Sequence, residues 1–341
     1  MDSITQATLG AAVAEAGMGK SLGRKAALWG LLLGTLPDLD ILIYPLLDPA
    51  AQLGWHRGLS HSLLAMLVMS PLCGWLLHKK YQDKAPPVRA SWTCFWIFLT
   101  HVLIDCFTVY GTQIFEPFSD MRIGFNNFFI IDPLFTLPIL VGVVAAVILY
   151  QNPVWRFRAN TLGLVISSIY VMWSFSAKAI ITSRFSNELE RQGIEITRQM
   201  THPTAFNTLL WRSLSEAENG YWVGYASLLD RTPEVAFKFI PRQAELISPL
   251  YDTRSVDRLL WFSEGYFMAA KRKGQLTFSD LRFGEFQLAD GNITTFFTWV
   301  LEPTAEDVKI QQIRADRPDG TLKQIWNRML AKEPPIASKT D

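Results

Sequence analysis

Three short stretches of this 341-residue chain carry residue types that bind metals or move protons. GTLPDLD (34–40) holds Asp38 and Asp40, GWHRGLSHS (54–62) holds His56 and His61, and THVLIDCFTVYGT (100–112) holds His101 and Asp105. Pro37 removes a backbone donor and disfavours helix at Leu36, so a helix arriving there should break. Residues two apart diverge on an intact helix, whereas a broken, extended stretch lets Asp38 and Asp40 face one site. The plain alternative is a helix end with two solvated aspartates. His56 and His61 converge only if Gly58 turns the chain between a loop and a helix capped by Ser60. Arg57 between them suits an anionic substrate or a structural carboxylate. His101 and Asp105, four apart, share one helix face and can hold one metal or bond each other. Asp132, before Pro133, is a further candidate whose ordinary reading is a turn or cap.

Imidazole with carboxylate suits zinc, and manganese or iron less specifically; more than four ligands would allow two ions. Such an ion lowers the pKa of coordinated water and stabilises an oxyanion or phosphoryl oxygen. The rival use of these groups is a proton or ion path. It predicts carboxylates strung through the whole membrane depth, and the inner halves of these segments have none. His78, beside Lys79, reads as interfacial, and His202 lies in the polar half; neither is expected to be a ligand.

The elements that must position these groups are apolar. Residues 1–181 contain 22 Asp, Glu, Lys or Arg, about 12%, against 41 in residues 182–341, about 26%, so one uniform globular domain is excluded. With 13% aromatic residues the chain is no disordered polymer either. Residues 58–78, 133–155 and 159–177 carry no such charge, and each is near the about 20 residues that a spanning helix needs. Counting two interrupted stretches, five spans are expected: 26–47, 59–78, 91–111, 129–150 and 160–181. A large buried helical bundle is the alternative. Lys20, Arg24, Lys25, Lys79, Lys80, Lys84, Arg89, Arg156 and Arg158 fall in the loops of one side, and only Arg57 and Arg122 in those of the other. The positive-inside rule makes the first side cytoplasmic. The candidate groups then gather at the outer face, and the chain beyond 182 lies outside. Residues 4–18 read as a short inserted or interfacial helix.

The second half should be an α+β domain over 182–330, ending in a disordered tail at 331–341. Asn219-Gly220 before Tyr221–Tyr225 signals a hairpin, ITTFFTWVL (293–301) a strand, and 184–192, 241–248 and 253–262 helix. Cys73, Cys94 and Cys106 lie in apolar stretches without CxxC spacing and read as core or lipid-facing residues. A net charge of +1 and the lack of a dense basic run give no nucleic-acid signature.

At these residues the chain resembles the LexA-regulated, membrane-bound metal-dependent hydrolases of bacteria. The resemblance rests on MDSIT, GTLPDLD, HRGLSHS, HVLIDCFTVYGT with PFS, DPLFT (132–136), TAFNTLLWR (204–212) and DLRFG (280–284), and covers nearly the whole chain. It implies a helical membrane domain with a C-terminal extramembrane domain in the bacterial inner membrane. The layout is also similar to zinc-dependent phospholipases C and related nucleases, where His and Asp ligands, an HxxxD pair and the N-terminal region surround a metal cluster. Residue by residue it makes Asp38, Asp40, His56, His61, His101 and Asp105 the ligands. One departure stands out: the family's first motif reads D-x-x-T-H, and this chain has Gln6 where that histidine stands. Glutamine is a poor zinc ligand, which puts one metal position in doubt.

The expectation is therefore a multi-pass membrane hydrolase with a divalent metal, zinc first, at the outer face. Its catalytic carboxylates would be Asp40 and Asp105, with one of them as general base, and its substrate a phosphoester or lipid drawn from the bilayer. The competing expectation is a non-catalytic membrane scaffold whose same groups form a structural metal site or polar network, with the second domain binding a partner.

Overall fold

The computed structural model describes residues 1–287, 293–313 and 321–332. They pack as two units. The first comprises Met1–Tyr44, Trp55–Ser176 and Ala205–Asn207, the second Pro45–Gly54, Ala177–Thr204 and Thr208–Asp341.

The first unit is helical. α1 (Ser3–Leu22) opens on Asp2, whose carboxylate accepts from the Ile4 and Thr5 amides, so the Asp and Thr of MDSIT serve as a helix cap. The sequence pattern suggests a short inserted or interfacial helix at 4–18. Instead α1 is 20 residues long and buries twelve of them, because its small residues let neighbouring backbones approach closely. Its nearest neighbour is α2 (Arg24–Thr35). A Cβ on Gly10 would run into the carbonyl oxygen of Gly30, and one on Gly30 into that of Gly10, so only glycine permits this approach.

α2 ends at Thr35, and Pro37–Leu46 continues as a tight 3₁₀ run bent about 40° from α2. The break falls where Pro37 predicts it; the continuation is coiled rather than extended. After α3 (Pro49–Trp55), Leu59–His61 makes a 3₁₀ turn before α4 (Leu63–Tyr81). The N-cap of α4 is Ser62, accepting from Ala65, and not Ser60. Ser60 lies inside the 3₁₀ turn and has another partner. α5 (Pro87–Cys106) starts on proline, where the missing donor costs nothing. α6 (Pro133–Ile148) is capped by Asp132, which accepts from the Leu134 and Phe135 amides and from the Tyr170 hydroxyl. Asp132 is thus a cap, the plain alternative. α7 (Pro153–Arg191) runs unbroken for 39 residues.

α5 and α7 are long and apolar enough to cross a membrane; counting the bent pairs 24–46 and 49–84 as single spans makes four among the described residues. α6 is apolar but has only 16 residues. Away from the candidate chemistry, Arg156 of α7 forms a bidentate ion pair with Glu15 of α1, both side chains buried.

The second unit holds two antiparallel four-stranded meanders. β1 (Arg198–Pro203), β2 (Leu210–Ala217), β3 (Gly220–Ser227) and β4 (Phe237–Pro241) form the first sheet. Ala217 pairs with Gly220, so the hairpin loop is Glu218–Asn219, one residue earlier than the Asn-Gly signal suggests. α8 (Arg254–Phe262) precedes β5 (Phe267–Arg272), β6 (Gln275–Gln287), β7 (Ile293–Pro303) and β8 (Val308–Ile313) of the second sheet, and α9 (Thr321–Met329) follows. Helical segments expected at 184–192 and 253–262 are the end of α7 and α8. The one at 241–248 is only two 3₁₀ turns after β4. Apart from Ala331 and Lys332, the tail at 331–341 lies outside the described residues.

Two of the stretches that carry the resemblance find a structural reason here. In DLRFG the fully buried Arg282 donates to Asp280 and to the Phe262 carbonyl, and Gly284 takes a φ of 95° where the β6–β7 register shifts between Asp280 and Glu285. In TAFNTLLWR the buried Arg212 pairs with Glu285 and donates toward His202 Nε2. Burial, and then the charge of Arg212, push the His202 pKa down to about 3. His202 is therefore a neutral acceptor at ordinary pH, a core residue rather than a ligand.

Candidate metal centre

Each strand of the candidate chemistry arrives at the same end of the helices. α1 and α4 start there, and α2 and α5 finish there. The broken backbone after α2 delivers Asp38, the 3₁₀ turn before α4 delivers His61, and the last turns of α5 deliver His101 and Asp105. One ligand atom from each of these four residues lies within 4.8 Å of all the others.

Five of the six edges of that tetrahedron are short. His61 Nε2 is 3.2 Å from His101 Nε2. Asp38 Oδ1 is 3.4 Å from His61 Nε2 and 3.5 Å from His101 Nε2. Asp105 Oδ2 is 3.5 Å from His61 Nε2 and 3.6 Å from His101 Nε2. Five such edges and a sixth of at most 4.8 Å put a common centre about 2.1–2.4 Å from each corner, close to the bond length of zinc to imidazole nitrogen or carboxylate oxygen.

The protons of the cluster point away from that centre. His101 Nδ1 is 2.7 Å from the Gly34 carbonyl, which can only accept, so the neutral ring carries its lone pair on Nε2. That carbonyl is one of the orphans at the end of α2. His61 Nδ1 is 2.8 Å from Ser60 Oγ, whose hydroxyl donates to Asp40 Oδ2 at 2.7 Å, so His61 donates at Nδ1 and its Nε2 is also a lone pair. Asp105 Oδ2 is buried and accepts no hydrogen bond. Two imidazole lone pairs and two carboxylate oxygens thus converge without a proton between them. A divalent cation would satisfy that arrangement.

The other oxygen of Asp105 is heavily held. Gln6 Nε2 donates to it at 3.0 Å and to the His101 carbonyl at 3.2 Å, Arg57 Nη2 lies 3.1 Å away, and the Met1 amino group is in contact. Arg57 also donates to Thr108 Oγ1 and to the Asp105 carbonyl. Of the two uses that Arg57 suits, the structure shows the structural carboxylate. Gln6, at the position where the family motif has histidine, buttresses Asp105 rather than offering a ligand atom to the group of four.

Asp40 and His56 are not brought to the cluster. Three residues per 3₁₀ turn separate Asp38 and Asp40 by about 120° around the axis, so the two carboxylates reach different sides of His61. Asp38 faces Nε2, while Asp40 Oδ2 lies 3.6 Å from Nδ1. Asp40 also accepts from the Arg57 amide at 3.3 Å and bonds His56 Nδ1 at 2.9 Å. It therefore fixes the His61 ring from behind, as an outer carboxylate does for a metal-bound imidazole. Asp40→Ala is expected to weaken metal affinity about 10–100-fold while leaving the helices folded. Metal titration followed by circular dichroism checks this; unchanged affinity would remove Asp40 from the site. Ser60, Gly34 and Gln6 escape a search for ligand residues because they act through a hydroxyl, a carbonyl and an amide. Only the adjacency of Ser60 to His61 hints at one of them.

Residues 1–181 match the YdjM inner membrane protein family, just over half of the chain. The chain belongs to that family. Among curated proteins, the uncharacterized protein YfhP of Bacillus subtilis (strain 168) is 26% identical over 191 residues, 55% of this chain and 54% of the relative. The chain thus spans about half the length of the curated relative it matches. No solved structure matches it. The YdjM match ends at residue 181 and so includes all four clustered residues, so this member of a membrane protein family carries a His and Asp group able to hold a metal.

Proposed function

We propose that this YdjM-family protein is a membrane-embedded metal-dependent hydrolase of a phosphoester, with a lipid as the preferred substrate. The observation that carries the reading is the unprotonated tetrahedron of Asp38, His61, His101 and Asp105 around a zinc-sized centre. What a bound divalent ion supplies at such a site is Lewis acidity toward a phosphoryl oxygen and a lowered pKa for coordinated water. The open side belongs to Asp38, whose side chain is 19% exposed while those of His61, His101 and Asp105 are 0–1% exposed. Leu39, Ile41 and Leu42 beside it are exposed, an apolar rim that suits acyl chains. Asp40, held by Ser60 and bonded to His56, orients His61. Five spans, with α6 as a short one, would put this end of the helices at the outer leaflet and the second domain outside. The basic residues at the opposite ends of the helices support that orientation.

A second reading has its own support: four protein ligands close the tetrahedron, as in structural metal sites. Release of phosphate or headgroup from a panel of phospholipid vesicles by full-length protein separates the two. Hydrolysis should fall at least about 100-fold in Asp38→Asn, since truncated coordination costs more than an outer-shell change. Metal-loaded protein inert on every phosphoester in the panel would leave the structural reading.

A further inference from the structure

We infer that the second unit also carries its own membrane-interface contact, an apolar patch formed by α9 and the loop after β3, with a lipid headgroup layer as its partner. Among the described residues, α7 is one of two helices able to span a membrane by itself. Its uncharged run, 159–177, ends at Lys178; residues 179–181 are apolar again, and Arg184 follows six residues after Lys178. At 1.5 Å per residue Arg184 stands about 9 Å beyond Lys178 and about 4.5 Å beyond Ile181, at the level of the headgroup layer, which adds roughly 5–8 Å to each side of the hydrocarbon.

Arg184 fixes the loop after β3 at that depth. Its guanidinium donates to the carbonyls of Ser227 (3.0 Å), Thr232 (2.5 Å) and Pro233 (3.0 Å). Asp230 of the same loop lies 3.3 Å from Arg184 and also pairs with Arg328 of α9 at 2.5 Å. The Ser227 hydroxyl donates to the Met329 carbonyl at 2.6 Å, so α9 is tied to the loop twice. Arg184, Asp230 and Arg328 therefore tie α7, the loop and α9 to one another.

Among charged neighbours such as Arg231 and Glu234, the loop and α9 also leave large apolar side chains exposed. Leu322 and Trp326, one turn apart on α9, are 63% and 58% exposed, and Leu229 of the loop is 47% exposed. A leucine–tryptophan face in water would be costly, whereas tryptophan at headgroup depth is favourable because its ring is apolar and its N–H wet. Lys323, exposed beside them, adds attraction to anionic lipid.

The test places a nitroxide at Leu322→Cys, or at Leu229→Cys as a second position, in the full-length protein. The protein is reconstituted into phosphatidylethanolamine–phosphatidylglycerol vesicles, and the native cysteines are all buried. Collision with oxygen relative to a water-soluble nickel chelate should be several-fold higher at both positions than at Lys273→Cys, in the β5–β6 turn. Equal ratios at all three positions would overturn the inference. So would exclusion of both reagents at Leu322, the signature of a protein partner on the patch.

Discussion

Detergent-purified protein, kept from chelators, is expected to carry one tightly held divalent ion per chain, and His101→Ala to lose it. The expectation follows from the electrostatics of the cluster. Arg57 and the Met1 amino group offset charge at Asp105 Oδ1, but Asp105 Oδ2 has no donor and faces Asp38 and the two imidazole nitrogens. A divalent cation at that point would attract both carboxylates strongly in a medium of low dielectric constant. Removing one of four ligands should cost more than the about 10–100-fold loss typical of an outer-shell change. Elemental analysis with a competition titration reads both quantities. Asp105→Asn serves as a second variant, since its amide keeps the volume. Wild-type protein that remains metal-free in excess zinc would defeat the metal reading, and with it the hydrolase.

The second large effect is expected far from that site. Arg156→Ala should destabilise the helical unit by about 3–5 kcal/mol, because it leaves Glu15 buried and uncompensated. Glu15→Gln combined with Arg156→Met should recover most of the loss, since a neutral pair of similar volume carries no stranded charge. Thermal unfolding of the three proteins in one detergent measures the difference. A double variant as unstable as Arg156→Ala would mean that this pair acts through packing and not through charge. The contact also revises a sequence reading. Arg156 counts among the basic loop residues, and Glu15, a lone carboxylate in a helix of small residues, carries the signal of a costly buried group. Nothing in the one-dimensional order pairs positions 141 residues apart.

The legible part of the site was the part written in residue types and short spacings. His101 and Asp105 share a helix face by periodicity, and Pro37 breaks the helix before Asp38 through its missing donor. Less legible was the coil that follows: a 3₁₀ run looks like an extended break in sequence, yet it sends Asp38 and Asp40 to opposite edges of His61. For α1 the composition left open an inserted or an interfacial helix, because its burial depends on glycine contacts with α2. In the second unit, strand patterns at 221–225 and 293–301 are visible in the sequence, inside β3 and β7. The fully buried Arg212 and Arg282 are not, since an arginine in a strand reads as exposed until its partners are known.

By itself the sequence determined the chemistry available and the division between an apolar, helix-forming half and a charged half. It also settled family membership, because these depend on which residues are present and on their local spacing. Only the tertiary structure decided which groups meet. The choice of Asp38, His61, His101 and Asp105, the turning of both Nε2 lone pairs inward by Gly34 and Ser60, and the use of Arg57 and Gln6 to aim Asp105 all depend on helices packed against one another. Hydrogen-bond direction at a shared centre is set by that packing and leaves no trace in residue order.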